Sequence, residues 1–321
     1  TMSTLWLKRI DSLSTFVPRQ LLTAWPRKHG EPDGITIIRP GGLGDLVVLT
    51  RALLQLGVSL NQVNWVVERR NSVWLDYLQV PPLNYDSFSG LLRLARHATT
   101  NVINTEQYHG LAAVCARWLA RSDCKVIGFA GHRRADLQDE SVSHTPGTEH
   151  ELSAFTRLLN DAFRLVRFMP SGSSSSVVTA PLLAAEIDPD KAVIGLGGSY
   201  AEDKALTPSQ WQAIVHKAQA NYKTVLLLGS QRELPLSKLL TTTSTASLQN
   251  LVGQIPFAET VNHLRSASRF FGVDGGLMHI ADFFNVPSSV VFPRDNVSQW
   301  RPLTPGSIVW DTEFQERQTS N

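Results

Sequence analysis

Chemistry in this sequence concentrates at glycine turns. Asp45 closes the run Arg39-Pro40-Gly41-Gly42-Leu43-Gly44-Asp45, and two further turns, Gly197-Gly198-Ser199-Tyr200 and Asp274-Gly275-Gly276, occur in the second half. Glycines let a ligand approach the backbone, and the unpaired N–H groups of a helix start favour an anion. The second-half turns suit a nucleotide diphosphate, offering open backbone, the hydroxyls of Ser199 and Tyr200, the Lys204 cation and a helix dipole behind Gly275 and Gly276. Glu233, shortly after Gly229, is placed to accept hydrogen bonds from ribose hydroxyls, and His279 lies one turn into the helix that Gly276 opens. Each also has an ordinary reading. Asp45 is what helix capping asks for, Glu233 is a first-turn helix acid, Lys204 a solvated lysine and His279 a satisfied, half-buried histidine.

The elements that must position these residues alternate. Ile35-Thr36-Ile37-Ile38 reads as a buried parallel strand. Leu46, Leu49, Leu53 and Leu56 then repeat at helical spacing until Gly57 stops them. Further strands are predicted over 63–68, 101–104 and 125–129, with helices around 72–78 and over 110–121. After a helical run over 152–166, the sequence Pro170-Ser171-Gly172 and its serine tract read as a linker. A second α/β set follows, with strands predicted over 192–196, 224–228, 269–273 and 288–292, the last clear one. Thr207-Pro208-Ser209-Gln210 has the capping-box pattern with proline at the first helical position, and Trp211, Ile214, Val215 and Ala218 form that helix's buried face.

Strands alternating with helices mean doubly wound parallel sheets. The expected organisation is an amphipathic basic extension over 1–34, a first domain over 35–168, a linker over 169–190 and a second domain over 191–321. Ligands of such sheets bind beyond the C-terminal strand ends, which sets Asp45, Arg69, Arg70 and the 105–110 loop along one rim. Residues 130–150 have no period and read as a long mobile loop of the functional kind. Arg133 and Arg134 within it face either an anionic substrate or plain solvent. In the extension, Trp6, Ile10, Leu13 and Val17 share a helical face among Lys8, Arg9, Arg19, Arg27 and Lys28. That face rests either on anionic lipid or on the protein's own body, the second being favoured.

A chain of 321 residues with 42% hydrophobic and 18% charged residues has enough apolar sequence for two globular cores. The net charge of +2, all of it carried by residues 1–34, does not point to nucleic acid. No apolar run approaches the roughly 20 residues of a membrane span, and no secretory leader is expected at the start. Two cysteines, Cys115 and Cys124, suggest a reducing cytoplasm. The sequence contains no P-loop motif and no G-x-S-x-G, and no His/Cys/Asp cluster has metal-ligand spacing. Gly42-Leu43-Gly44 lacks the third glycine of a dinucleotide fingerprint, with Glu68 the nearest candidate for a ribose acid.

The sequence resembles the bacterial lipopolysaccharide heptosyltransferases, glycosyltransferase family 9. The resemblance rests on residues 38–45, on Val273-Asp274-Gly275-Gly276-Leu277-Met278-His279-Ile280-Ala281, on Asn285-Val286-Pro287 and on Trp300-Arg301-Pro302-Leu303. Gly198-Ser199-Tyr200, Lys204, Trp211, Leu228-Gly229 and Glu233 match between them. It implies a GT-B fold, two Rossmann-like domains facing across a cleft, the first for the acceptor and the second for the donor. The reaction implied is metal-independent, inverting transfer of a heptose from ADP-heptose to a lipopolysaccharide-core or related surface-glycan acceptor, with no cofactor. By the same resemblance Asp45 is the general base that accepts the acceptor's proton. Ser199, Tyr200 and Lys204 would hold phosphates, Glu233 the ribose, and Asp274, Gly275, Gly276 and His279 the sugar and pyrophosphate. Gly41, Gly42, Gly44, Arg69 and Arg70 would line the acceptor side, where basic residues suit a phosphorylated or carboxylated glycolipid. The implied location is the cytoplasm, or its face of the inner membrane. Gly275 stands where members commonly have Thr or Ser, Tyr200 replaces a smaller hydroxyl residue, and about 34 residues precede the first strand. Two alternatives remain: the same mechanism with another nucleotide sugar or a protein acceptor, or a nucleotide-sugar-binding protein without turnover.

Overall fold

The computed structural model describes residues 16–23, 34–96, 100–120, 124–170, 185–198, 206–242 and 247–317. The chain divides into two compact units, residues 1–146 with 151–182, and residues 147–150 with 183–321. A single crossing near 169–190 is what the sequence suggests; the short return of 147–150 to the second unit is additional.

The first unit carries a six-stranded parallel sheet in the order β3-β2-β1-β4-β5-β6. Its strands are β1 Ile35–Arg39, β2 Val63–Val67, β3 Pro82–Asn84, β4 Asn101–Asn104, β5 Val126–Phe129 and β6 Glu140–Val142. Its helices are α1 Arg19–Thr23, α2 Leu43–Gln55, α3 Ser72–Tyr77, α4 Phe88–Arg96, α5 Gly110–Leu119 and α6 Glu151–Leu165. Every residue of β1 is buried, as its unbroken apolar run requires of a central parallel strand. Two outcomes differ from the sequence reading. The 130–150 stretch is no structureless loop: it holds a 3-10 turn at Ala135–Leu137 and the edge strand β6. Strand β3 and helix α4 were not foreseen either. Three-residue edge strands, paired on one side only, are too short to display a period.

Leu22 of α1, with Val17 just before the helix, packs with Ala113 and Leu137, and Arg19 pairs with Asp139. That short piece rests on the protein's own body, although Phe16 and Leu21 stay exposed. Trp6, Ile10 and Leu13 lie outside the described residues.

The second unit repeats the topology as β12-β11-β10-β7-β8-β9. Its strands are β7 Asp188–Gly195, β8 Thr224–Leu228, β9 Leu248–Asn250, β10 Ala267–Val273, β11 Ser288–Val291 and β12 Ile308–Trp310. Its helices are α7 Pro208–Gln219, α8 Leu234–Thr242, α9 Phe257–Arg265, α10 Gly276–Phe283 and α11 Val297–Trp300. Strands β9 and β12 escape sequence reading for the same reason as β3 and β6. Helix α7 follows the expectation closely. The Gln210 backbone N–H donates to the Thr207 hydroxyl at 3.3 Å, and Trp211, Ile214, Val215 and Ala218 are all buried.

Both sheets reverse strand order beside their first strand, at β1/β4 and at β7/β10. Such switch points open a crevice at the carboxyl ends of the strands. Among the described residues, no helix is long and apolar enough to cross a membrane. Cys115 and Cys124 are both buried.

Candidate active site

In the first unit, the crevice lies between the ends of β1 and β4. The Thr105 N–H and hydroxyl both donate to the Ile38 carbonyl, at 3.1 and 2.8 Å, which ties the loop after β4 to the end of β1. Arg39, the next residue, is buried. Its Nη1 donates to the Thr105 carbonyl at 2.8 Å and its Nη2 lies 2.9 Å from Asp45 Oδ1 and 4.0 Å from Glu106 Oε2. The guanidinium sits over the Phe155 ring of α6, 5.4 Å from its centroid. Burial works against the Arg39 charge, but the carboxylates of Asp45, Glu106 and Glu151 outweigh it and leave its pKa raised.

Asp45 occupies the third position of α2. Its Oδ2 accepts the Gly42 N–H at 3.1 Å, so the residue does cap the helix while its other oxygen meets Arg39. Glycine is required in this turn. Gly41 has φ +106°, and a Cβ on Gly42 would stand 2.8 Å from Asp45 Oδ2. The turn is also held from β2. The Asn71 amide donates to the Gly41 carbonyl at 2.6 Å, Arg70 Nη2 donates to the same oxygen at 3.2 Å, and the Gly41 N–H reaches Glu68 at 3.4 Å. Glu68 in turn pairs with Arg70 and accepts the Tyr85 hydroxyl at 3.1 Å. Glu106 Oε1 accepts the N–H groups of Gln107 and Tyr108 at 3.0 and 2.9 Å. Glu151, the first residue of α6, has His144 Nε2 at 3.5 Å and the Gln107 amide at 3.3 Å.

In the second unit, the turns after β7 and β10 abut. A Cβ on Gly275 would lie 3.1 Å from the Gly197 carbonyl, so a Thr or Ser there would need the two turns to part by a few tenths of an ångström. Asp274 and His279 are both buried, their Oδ1 and Nε2 3.7 Å apart, and Asn296 donates to Asp274 Oδ2 at 3.2 Å. The Trp300 ring meets His279 edge-on at 5.5 Å. Asp282, near the end of α10, is buried, and its Oδ1 accepts the Leu303 N–H, the Thr304 N–H and the Thr304 hydroxyl at 2.8, 2.7 and 2.6 Å. The Glu233 carboxylate accepts both the N–H and the hydroxyl of Ser230 at 2.7 Å. It caps its own turn at the end of β8, with one oxygen given to that task.

His150 reaches this unit too. A carbonyl only accepts, so His150 Nε2 donates to the Arg301 oxygen at 2.9 Å. Burial, with a smaller contribution from nearby His279, pushes the imidazole from 6.5 down to about 4. The unfolded chain therefore takes up a proton near 6.5 while the folded chain resists until about 4, and stability falls as pH drops through that window. Melting temperatures measured between those limits are expected to decline less steeply in His150→Gln; an unchanged slope would remove His150 as the cause.

The profile of glycosyltransferase family 9 (heptosyltransferase) matches residues 97–320. The chain belongs to that family. Among solved structures, a family 9 glycosyltransferase from Veillonella parvula aligns at 14% identity and TM-score 0.67, over 92% of this chain and 90% of its own. The E. coli ADP-heptose lipopolysaccharide heptosyltransferase II aligns at 15% identity and TM-score 0.61, over 86% of this chain and 89% of its own. An E. coli heptosyltransferase with ADP aligns at 17% identity and TM-score 0.61, over 86% and 90%. No curated protein sequence matches. Family 9 membership makes the chain a glycosyltransferase, and its two Rossmann-like sheets are those of the GT-B class.

For a family 9 enzyme, the residues that sequence reasoning singled out fall into three groups. Asp45, Gly41, Gly42 and Gly44 gather at the β1 turn, and Asp274, Gly275, Gly276 and His279 gather at the β10 turn. Ser199, Tyr200 and Lys204 lie outside the described residues. Arg70 is tied to Glu68 and the glycine turn, while Arg69 is exposed. Arg134 corrects the expectation of a solvent- or substrate-facing charge: it is buried, donating to the Val17 carbonyl at 2.9 Å and pairing with Asp136. Arg133 is exposed. Sequence reasoning gave no role to Arg39, Glu106, Glu151 and His144 beside Asp45, nor to Asn296, Asp282 and His150 in the second unit. Arg39 left a trace as a charge ending a buried apolar run, and Glu106 as a member of the 105–110 loop on the rim. Among the described residues, no group of three His, Cys, Asp or Glu is arranged to hold a metal.

Proposed function

We propose that this family 9 enzyme transfers a heptose from ADP-heptose to a lipopolysaccharide-core or related surface-glycan acceptor, with inversion and without a metal. The observation that carries the reading is the Asp45 carboxylate, held at the β1/β4 switch point by Arg39 at 2.9 Å and the Gly42 N–H at 3.1 Å. Asp45 takes the proton of the acceptor hydroxyl as its oxygen attacks the anomeric carbon. The bond to the diphosphate breaks on the opposite face and ADP leaves, so one displacement inverts the centre. The turns at Gly197 and Gly275, the start of α10 and Lys204 receive the diphosphate, and their charge and dipoles favour its departure. Glu233 takes the ribose through the oxygen it does not use for capping, and Asp274 and His279 take the sugar. Two E. coli structures with this fold, one a named ADP-heptose transferase and one with ADP, support ADP as the carrier. Arg69 and Arg133, exposed in the first unit, favour a phosphorylated or carboxylated acceptor. A glycolipid acceptor would set the enzyme to work at the cytoplasmic face of the inner membrane.

A ligand that binds only the folded chain raises its melting temperature in step with affinity. Among ADP, UDP, GDP and NAD, ADP alone is expected to stabilise, equally with and without chelator. Preference for UDP or GDP would replace the donor and keep the mechanism. Loss of the ADP shift with chelator would overturn the metal-independent reading, and no shift from any nucleotide would overturn nucleotide-sugar donation.

A further inference from the structure

We propose that Arg39 is the positioning residue of Asp45: its guanidinium fork fixes the orientation of that carboxylate. The inference rests on the reading of Asp45 as the base, and adds to it a residue that touches neither sugar. Arg39 ends the strand Ile35–Arg39 with its side chain 7% exposed, where an apolar residue would spare the fold the burial of a charge. Three contacts fix its plane and direction. Nη1 is spent on the Thr105 carbonyl, which is itself tied to β1, and the guanidinium face lies over Phe155. Nη2 is left facing Asp45 Oδ1 at 2.9 Å. Space for this arm depends on the glycine turn, since a Cβ on Gly41 would stand 3.1 Å from Nη2. With Oδ2 on the Gly42 N–H, both carboxylate oxygens are held and the plane of the base is set. The Asp45 side chain remains 23% exposed, which leaves lone pairs open to a hydroxyl.

Charge gives the second half of the argument. Arg39 faces three carboxylates, Asp45, Glu106 and Glu151. The other titratable groups around this cluster include Tyr85, bonded to Glu68, His144, beside Glu151, Tyr108, facing Glu106 and Glu151, and the Glu68–Arg70 pair on Gly41. The three carboxylates hold the guanidinium charged in its buried setting, so its Nη2 meets Asp45 as a charge-assisted donor. Lysine would keep the charge but lacks the fork that grips Thr105 and Asp45 together.

The test uses the full chain as wild type, Arg39→Lys, Arg39→Met, Asp45→Asn and the Asp45→Asn/Arg39→Lys double variant, with kcat and donor KM read from ADP release from ADP-heptose with heptose-free lipopolysaccharide core, beside melting temperature. In Arg39→Lys and Arg39→Met kcat is expected to fall roughly 10- to 100-fold with donor KM unchanged, as for a misplaced catalytic group. In the Asp45→Asn background Arg39→Lys should lower kcat no further, because the carboxylate it positions is gone. A wild-type kcat in folded Arg39→Met, or a full further loss in the double variant, overturns the proposal. If Arg39→Met does not fold, Arg39→Lys decides, and a wild-type kcat there overturns it. Full transfer by Asp45→Asn would instead overturn the base assignment, a separate result.

Discussion

Asp45→Asn is expected to lower sugar transfer by about 10²- to 10⁴-fold, the usual worth of a positioned general base, while ADP still binds. The amide matches the carboxylate in shape and cannot take a proton at neutral pH. It also has one acceptor oxygen where Asp45 uses two, for the Gly42 N–H at 3.1 Å and Arg39 at 2.9 Å. One of those contacts must go, at a cost of about 1–3 kcal/mol for a bond to a charged partner. The predicted pattern is therefore a large loss in kcat with a modest loss in melting temperature and little change in ADP affinity. Single-turnover ADP release and calorimetry on the same samples separate these quantities. Wild-type turnover in the variant would make Asp45 a helix cap and nothing more.

The second large effect is expected in the other unit, near the far end of the helix that Gly276 opens. Asp282→Ala strips the acceptor from two backbone N–H groups and one hydroxyl, each within 2.8 Å of Oδ1 in a buried setting. Unpaired buried donors cost about 1–3 kcal/mol each, so a loss of roughly 3–5 kcal/mol is expected. The consequence for function follows from what the tether holds. Residues 300–304 carry Trp300 against His279 at 5.5 Å, and the Arg301 carbonyl that binds His150. Releasing them should raise donor KM more than it lowers kcat. Urea unfolding and ADP titration check the two parts, and unchanged stability would mean that Asp282 is not the anchor. Asp282→Asn keeps one acceptor oxygen and is expected to lie between wild type and alanine.

Asp282, through its bonds to Leu303 and Thr304, also accounts for the placement of Trp300-Arg301-Pro302-Leu303. In sequence it is a tryptophan and an arginine before a proline, with no period and no motif of its own. Its partner is a carboxylate on α10, and that pairing is invisible until the helix and the loop are brought together. The same holds at the first turn. Asp45 and its glycines are neighbours along the chain, so their spacing could be read directly. Glu106, Glu151 and His144 come from the loop after β4, the start of α6 and the segment after β6, and they converge only once the strands lie in register. Glu233 shows the reverse case. Its position after a strand suggests a ligand, and what the structure shows is the ordinary reading, one carboxylate oxygen capping Ser230.

What the sequence by itself determined is local. Apolar runs of four or five residues that end at a turn specify buried parallel strands, and Trp211, Ile214, Val215 and Ala218 specify one face of α7, because burial acts on side chains at the period of their own backbone. The glycine turns that carry Asp45 and Asp274 belong to that level. The short edge strands β3, β6, β9 and β12 do not, since each is held by hydrogen bonds to a neighbour and hardly at all by a pattern of its own. Nor does the return of 147–150 to the second unit, or the burial of Arg134 in place of exposure. Above all, only the tertiary structure decided that one buried arginine faces three carboxylates at the end of β1. A charge can be sheltered there because partners distant in sequence meet it in space, and no spacing along the chain encodes a meeting of that kind.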